Sequence, residues 1–177
     1  MSWPLRRTTA APAQTRELAS RVAAICRAGD VVLLVGDLGA GKTVFAQGFA
    51  AGLGVAGPVT SPTFALVRHY RAGPGAPVGQ LIHADVYRTG SVAEVADLAL
   101  AELVEEDAVA VVEWGDLAVP AFGDSTLEIT LVAPDAVGDP TAREVTITGR
   151  GSWVPRAAEV DAALGDHGHE APHEVTR

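Results

Sequence analysis

The sequence predicts an α/β fold in which helices flank a mainly parallel sheet and antiparallel strands complete it toward the C-terminus. Residues 31–35 are five consecutive apolar residues, the pattern of a strand buried on both faces. A glycine-rich turn follows, and residues 41–53 then show the apolar spacing of an amphipathic helix. Residues 126–132 and 143–148 alternate polar and apolar side chains, which predicts a half-exposed antiparallel pair at the edge of the sheet.

The remaining segments continue this alternation of helices and strands. Gly29 is placed to end a first helix in a left-handed conformation. Ser91 and Glu94 have the spacing of a capping box, which predicts the start of another helix. Residues 58–63 contain two prolines and are expected to form a functional loop. The other predicted elements are a helix at 12–28, strands at 64–70, 81–87 and 109–112, and a helix at 91–105.

The composition indicates one folded domain with an acidic surface. The chain has 177 residues, of which 48% are hydrophobic, and this is enough for one buried core. We expect a domain over residues 1–156 and a disordered acidic tail over residues 157–177, where no apolar period is sustained. The net charge is −9 and the basic residues do not cluster beyond Arg6 and Arg7, which argues against strong direct binding of a nucleic acid.

Two further features favour a cytoplasmic location. No run approaches the roughly 20 apolar residues that cross a bilayer, and the N-terminal residues lack an apolar signal segment. Cys26 is the single cysteine, so a disulfide within the chain is impossible, which fits a reducing compartment. We therefore expect a cytoplasmic protein without a membrane segment.

The most specific motif is the glycine-rich turn itself. Residues 36–43 read Gly-Asp-Leu-Gly-Ala-Gly-Lys-Thr and fit the Walker A pattern at every position. The glycines let the backbone curl so that successive amide hydrogens face one anion. Lys42 would reach the β- and γ-phosphates, and Thr43 would place its hydroxyl on Mg²⁺. The pattern predicts a P-loop NTPase-like fold whose phosphate-binding residues are Asp37, Leu38, Gly39, Ala40, Gly41, Lys42 and Thr43.

A second carboxylate near the metal is expected at the end of a neighbouring buried strand. Glu113 follows the apolar residues 108–112 as the acid of a Walker B motif would, although this acid is more often Asp. We take Glu113 as the candidate metal-supporting and catalytic carboxylate. The alternative is a solvated glutamate at the end of a strand.

Polar side chains recur at every second position of the strand predicted at 81–87. The period of a strand places His83, Asp85 and Tyr87 on one face. Asp85 could hold a metal-bound water or orient the attacking one, and His83 could tune Asp85 by hydrogen bonding. The alternative is an amphipathic edge strand, and the residues alone do not decide between the two.

The proline-rich loop offers a weaker signal. Residues 60–63, Thr-Ser-Pro-Thr, lie about twenty residues after the P-loop, where related NTPases carry a loop whose threonine senses the γ-phosphate. A loop that is merely stiffened by proline is the simpler interpretation of this segment.

Taken together and in this order, four motifs resemble the TsaE family. The matching stretches are Gly-Asp-Leu-Gly-Ala-Gly-Lys-Thr at 36–43, Ser-Pro-Thr-Phe at 61–64, His-Ala-Asp-Val-Tyr-Arg at 83–88 and Val-Glu-Trp at 112–114. The resemblance extends from about residue 9 to residue 149. It implies an Mg²⁺-dependent ATPase required with the TsaB and TsaD proteins for threonylcarbamoyladenosine modification of tRNA beside the anticodon. The acidic composition fits a role directed at these proteins rather than strong direct binding of the tRNA.

The resemblance also implies individual roles for residues. Asp85, Glu113 and Lys42 are expected to be catalytic, and Thr43 with Glu113 is expected to bind Mg²⁺. Val86 stands where the family prefers Leu. Nucleotide contacts outside the P-loop are implied for Thr15, Thr63, Trp114 and Arg143.

Other classes of P-loop protein fit the sequence less well. A small-molecule kinase carries an arginine-rich lid, whereas here Arg88 is the only arginine between the strand predicted at 81–87 and Arg143. A GTPase would recognise guanine through Asn-Lys-x-Asp, and this chain has no Asn and no lysine besides Lys42. ATP is therefore the expected nucleotide. A nucleotide-dependent docking module with negligible turnover stays open beside the ATPase.

Overall fold

The structure is a computed structural model that describes residues 2–62, 64–87, 104, 107–117, 122–134 and 139–165. Seven strands and three helices are found in these ranges, with short 3₁₀ helices at Gly115–Leu117 and Gly151–Arg156. No helix among them is long and apolar enough to cross a membrane. In chain order the elements are β1 (Ser2–Thr9), α1 (Pro12–Ala24), β2 (Val31–Val35), α2 (Lys42–Gly52), β3 (Val67–Arg71), β4 (Gln80–Asp85), β5 (Ala108–Glu113), β6 (Leu127–Val132), β7 (Arg143–Arg150) and α3 (Ala157–Leu164).

All seven strands form one mixed sheet in the order β1-β7-β6-β2-β5-β4-β3. The four central strands, β6, β2, β5 and β4, are parallel to one another. The outer strands pair antiparallel, β3 with β4 on one side, and β7 with β6 and β1 with β7 on the other. The α/β class with antiparallel C-terminal strands is thus confirmed. Parallel pairing is restricted to the centre, where strands such as β5 are buried along their whole length.

The three helices pack on one face of the sheet. Phe45 and Phe49 of α2 join residues of α1, of α3 and of the central strands in one large apolar cluster. A smaller cluster, which includes Leu33, Ile82 and Val112, covers the opposite face. Because β4 is buried on both faces and lies between β3 and β5, the alternative of an amphipathic edge strand at this position is excluded.

Close contact between α1 and α2 fixes the direction of the P-loop helix. A Cβ atom added at Gly48 would lie 2.4 Å from the Cα and carbonyl oxygen of Arg16. One turn later, a Cβ at Gly52 would lie 2.7 Å from the backbone of Ser20. Side chains at either glycine would push the helices apart. The two glycines therefore set where α2 begins relative to the sheet.

Several predicted boundaries differ from the observed ones. The strand predicted at 64–70 begins only at Val67, because Leu66 is in the left-handed region with φ of 61° and its amide donates to the carbonyl oxygen of Pro62. Strand β1 was not predicted at all. It pairs with β7, so the pair formed by β6 and β7 is not at the sheet's edge. The helix predicted at 91–105 falls almost wholly outside the described residues.

The expectation of a disordered tail from residue 157 onward is wrong for the first part of that segment. Ala157–Leu164 forms α3, and its Val160 and Leu164 are buried in the main apolar cluster. Besides alanines, Val160 and Leu164 are the only apolar residues of this helix, and two are too few to show a helical period in the sequence, although they are enough to bury one face of a short helix. Residues 166–177 lie outside the described part of the chain.

A buried ion pair holds this C-terminal segment in place. Nη1 of Arg156 lies 2.9 Å from Oδ2 and 3.0 Å from Oδ1 of Asp30, and its Nη2 donates to the carbonyl oxygen of Ile25. Burial alone would lower the pKa of Arg156, but the hydrogen bonds to Asp30 and Glu159 and the negative charges of these two residues together outweigh it, so the pKa is raised. The guanidinium carbon also lies 3.7 Å from the centre of the Trp153 ring. The segment after β7 is thereby fastened to the turn between α1 and β2.

The first prediction concerns this ion pair. Arg156→Met keeps the apolar stem but removes the guanidinium, so that Asp30 stays buried without its charged partner. Breaking a buried pair from one side costs about 3–5 kcal/mol. We expect a loss of this size in the free energy of unfolding, measured by urea denaturation.

The exposed pair between Arg150 and Glu128 offers a matched control. Their closest charged atoms are 3.8 Å apart, and the Arg150 side chain is 48% exposed. Arg150→Met should therefore cost no more than about 1 kcal/mol. Equal losses in the two variants would show that the Arg156 pair does not fasten the C-terminal segment.

Candidate functional site

The P-loop spans the gap between the end of β2 and the start of α2, and two of its glycines are required by geometry. A Cβ at Gly36 would lie 2.3 Å from the carbonyl oxygen of Leu131 on β6. Gly41 precedes α2 with φ of 105°, a conformation that side chains rarely adopt. The loop thus passes close to β6 and turns sharply into the helix. Its amides and the helix N-terminus together favour an anion at this point.

The amine of Lys42 lies folded over the loop. Its Nζ donates to the carbonyl oxygens of Gly36 at 2.6 Å and of Asp37 at 2.8 Å. It also lies 3.7 Å from the centre of the Trp114 ring, a cation–π contact. Burial lowers the pKa of Lys42, and the carboxylate of Glu113 opposes this shift. The predicted phosphate clamp is therefore held beside the loop by groups that a phosphate oxygen could replace.

Thr43 and Glu113, the predicted metal-binding pair, are in direct contact. Oγ1 of Thr43 lies 2.9 Å from Oε2 and 3.2 Å from Oε1 of Glu113. Glu113 is only 3% exposed, which excludes the alternative of a solvated glutamate at a strand end. A hydroxyl and a carboxylate are the hard oxygen ligands that Mg²⁺ prefers, so the two side chains fit this cation.

Asp85 lies beside Glu113 in the sheet register, at the end of β4. Its Oδ2 accepts a hydrogen bond of 3.0 Å from Oγ of Ser61, and its Oδ1 accepts one of 3.0 Å from the amide of Tyr87. The hydrogen bond of His83 goes to Glu113 and not to Asp85, the carboxylate that the sequence suggested it would tune. The carboxylates of Asp85 and Glu113 therefore lie at the same edge of the sheet, where β4 and β5 end.

These groups surround a single cleft of about 440 Å³. The aromatic rings of Tyr87 and Trp114 stand on one side, with ring centres 4.6 Å apart. Trp114 has φ of 60°, an uncommon conformation for a residue with a side chain. The P-loop residues Leu38, Gly39, Gly41, Lys42 and Thr43 also line the cleft, as do Ser61, Asp85 and Glu113.

Three P-loop residues lie outside the main cleft. Gly36, Asp37 and Ala40 line a second hollow of about 310 Å³, together with the end of β6. Leu38 and Gly39 are shared between this hollow and the main cleft. The P-loop is thus accessible from both sides.

Two other predicted contact residues do not line the cleft. Thr15 is 2% exposed, and its hydroxyl lies 2.8 Å from that of Thr9. Arg143 donates through Nε to the carbonyl oxygen of Ala40 at 2.8 Å, and through Nη2 to that of Gly39 at 3.1 Å. In this structure Arg143 therefore supports the P-loop. Thr63 falls outside the described residues.

Ser61 is a site residue that the sequence did not single out for a role. Its only signal is its place in the proline-rich loop, one residue before Pro62. The contact with Asp85 arises because this loop folds over the end of β4, and no local pattern indicates that.

Comparison with known proteins agrees with this geometry. Residues 9–143 match the family model described as threonylcarbamoyl adenosine biosynthesis protein TsaE. The chain belongs to the TsaE family. The resemblance predicted from the four motifs is confirmed.

Two relatives in the TsaE family match over most of their length. A protein from Streptomyces coelicolor named tRNA threonylcarbamoyladenosine biosynthesis protein TsaE is 46% identical over 155 residues, which are 85% of this chain and 99% of the relative. One of the same name from Bacillus subtilis is 40% identical over 148 residues, 84% of this chain and 87% of the relative. The crystal structure of YdiB from Bacillus subtilis superimposes with a TM-score of 0.73 at 33% identity and covers 90% of this chain and 94% of YdiB. The P-loop NTPase-like fold is thus confirmed.

The support of the P-loop by Arg143 generates the second prediction. In Arg143→Gln the carbonyl oxygens of Gly39 and Ala40 lose charged donors. This loss lowers the free energy of local opening by about 1.4 kcal/mol, which makes the open state roughly tenfold more populated. Amide hydrogen exchange of a peptide spanning residues 36–43 should therefore be about tenfold faster in the free protein. Arg150→Gln, an exposed change on the same strand, is the control. An unchanged exchange rate in Arg143→Gln would contradict the supporting role.

Proposed function

We propose that this chain is an Mg²⁺-dependent ATPase that acts with the TsaB and TsaD proteins in threonylcarbamoyladenosine modification of tRNA at the position next to the anticodon. The observation that carries the proposal is the contact between Thr43 and Glu113 beside Lys42. This contact places a hydroxyl of the P-loop helix beside a buried carboxylate, the pair of groups that supports a metal ion in phosphoryl transfer from a nucleotide. The names of the relatives from Streptomyces coelicolor and Bacillus subtilis supply the modification pathway.

Binding of the phosphate chain falls to the P-loop. Its amides and the N-terminus of α2 attract the anion, and Lys42 exchanges the carbonyl oxygens of Gly36 and Asp37 for phosphate oxygens. Thr43 and Glu113 would hold Mg²⁺, which when bound neutralises charge on the transferred phosphoryl group. ATP is preferred to GTP because the chain lacks the Asn and the second lysine of the guanine-binding motif.

Asp85 is the candidate to orient the attacking water. It is 3% exposed and lines the cleft beside Glu113. The hydroxyl of Ser61 and the amide of Tyr87 hold its carboxylate in place. A positioned carboxylate that accepts a proton contributes roughly 10²- to 10⁴-fold to such reactions.

The surface around the cleft supports action on protein partners. Leu38 is 91% exposed, Phe64 is 89% exposed and Tyr87 is 58% exposed. Leu38 and Tyr87 line the cleft itself. Exposed apolar side chains beside a functional site are typical of a surface that another protein covers. The net charge of −9 disfavours direct binding of tRNA and fits a cytoplasmic enzyme that reaches tRNA through TsaB and TsaD.

The third prediction separates binding from turnover. Lys42→Met should weaken ATP affinity by roughly 10- to 100-fold, because a charged hydrogen-bond donor to phosphate is lost. Asp85→Asn should keep ATP affinity near that of the wild type and lower kcat by roughly 100-fold or more. Calorimetry gives the affinities, and phosphate release in the presence of TsaB and TsaD gives kcat. ATPase activity at the wild-type rate in both variants would sink the assignment.

The fourth prediction concerns the partners. A column that carries purified TsaB and TsaD should retain this chain, and the amount retained should differ between ADP and a non-hydrolysable ATP analogue. Phe64→Ser removes an exposed apolar side chain and should weaken retention without affecting ATP affinity. Retention that is absent with both nucleotides would count against a partner-directed ATPase and favour a kinase that acts alone.

A further inference from the structure

A buried histidine lies directly behind the proposed metal-binding pair. His83 is on β4, and its side chain is 1% exposed. Its Nε2 lies 2.9 Å from Oε1 of Glu113. Its Nδ1 is also buried and has no hydrogen-bond partner in the described part of the chain. Leaving a buried nitrogen unsatisfied costs stability, so an apolar side chain would serve better if packing were the only role of this position.

The register of the sheet explains how His83 reaches Glu113. In the parallel pair of β4 and β5, His83 lies opposite Val111, and Asp85 lies opposite Glu113. Leu81 and Val111 belong to the apolar cluster beneath the helices. Because side chains alternate along a strand, His83, Asp85 and Glu113 share this face. The contact between His83 and Glu113 therefore runs diagonally across the pair of strands.

Glu113 is thus held between two donors from different elements. Thr43 donates to it from the first turn of α2, and His83 approaches Oε1 from β4. An ionised carboxylate only accepts hydrogen bonds, so Nε2 of His83 carries the hydrogen in this contact. Glu113 is almost fully buried, and water therefore competes little with either donor.

We propose that His83 is a positioning residue that holds the Glu113 carboxylate in the orientation that binds Mg²⁺. The inference rests on the metal-binding role proposed above for Thr43 and Glu113. Carboxylates that bind metals are themselves oriented by hydrogen bonds, and loss of the orienting partner weakens metal binding by about 10- to 100-fold. His83 is not among the residues that line the cleft, so its effect on the metal passes through Glu113.

Two substitutions distinguish the ring nitrogens of His83. His83→Gln places an amide N–H near the position of Nε2, whereas His83→Asn reaches only to that of Nδ1. Mn²⁺ serves as the probe, and its binding in the presence of ADP is followed by the electron paramagnetic resonance signal of free Mn²⁺. We expect the Kd for Mn²⁺ to rise at least about tenfold in His83→Asn and less than about threefold in His83→Gln. The affinity for ADP in EDTA should be unchanged in both.

Two further variants serve as controls. Leu81→Val disturbs the packing of β4 on the same buried face, and it should lower Tm without changing the affinity for Mn²⁺. Glu113→Gln tests the metal site itself, and it should weaken Mn²⁺ binding at least as much as His83→Asn does.

A measurement on the wild type does not depend on any variant folding. In a long-range ¹H–¹⁵N spectrum of the histidine rings, the Nε2 resonance of His83 should shift when Mg²⁺ is added to the protein with ADP. The absence of any shift would overturn the proposal.

The outcomes separate this inference from the proposed function. Wild-type affinity for Mn²⁺ in His83→Asn, together with weakened binding in Glu113→Gln, would refute the positioning role of His83 and leave the metal site standing. Equal weakening in the Asn and Gln variants would refute the N–H donor and with it the proposal. Unchanged Mn²⁺ affinity in Glu113→Gln would overturn the metal site and the inference together.

Discussion

The parallel pairing of β2 with β5 is the constraint on which the rest of the site depends. It brings Leu34, at the end of the strand before the P-loop, opposite Glu113 at the end of β5. Because parallel strands end at the same edge of the sheet, the helix that begins after β2 carries Thr43 to a carboxylate 70 residues further along the chain. The pairing of β4 with β5 then adds Asp85 beside Glu113. A shift of either register by one residue would turn these carboxylates to the opposite face, away from α2.

The position of α2 is fixed from outside the sheet, by α1 and by the ends of the chain. Gly48 and Gly52 let α1 approach closely, so the start of α2 has little freedom to move. Strand β1 and the C-terminal segment hold each other, since Nε1 of Trp3 donates to the carbonyl oxygen of Trp153. Arg7 of β1 likewise pairs with Asp161 of α3. Through β7, this outer layer also supports Arg143 and, with it, the back of the P-loop.

Sequence reasoning succeeded where the signal is local and failed where it depends on tertiary contacts. The apolar run of β2 and the Walker A pattern gave the centre of the fold and most of the cleft. Glu113 followed from its place at a strand end, and Asp85 followed from the two-residue period of the strand predicted at 81–87. Strand β1 was missed because an arginine in the sequence suggests a surface position. Arg7 is only 4% exposed, because it pairs with Asp161 of α3. Helix α3 was missed for the same reason, since its order comes from contacts with distant residues. The contact between His83 and Glu113 required the register of β4 against β5, which no pattern within either strand specifies.

The charges around Lys42 explain why metal and nucleotide binding should be coupled in the proposed ATPase. Glu113, Asp85, Asp116 and Asp37 all act on the charge of this lysine, so four carboxylates of the described residues lie near it. A phosphate chain that enters the cleft adds further negative charge at low dielectric, where repulsion is strong. The P-loop amides and one lysine offset only part of it. A divalent cation held by Thr43 and Glu113 would turn the nearest carboxylate from a source of repulsion into a ligand, so the acidic site favours the nucleotide together with its metal over the nucleotide alone.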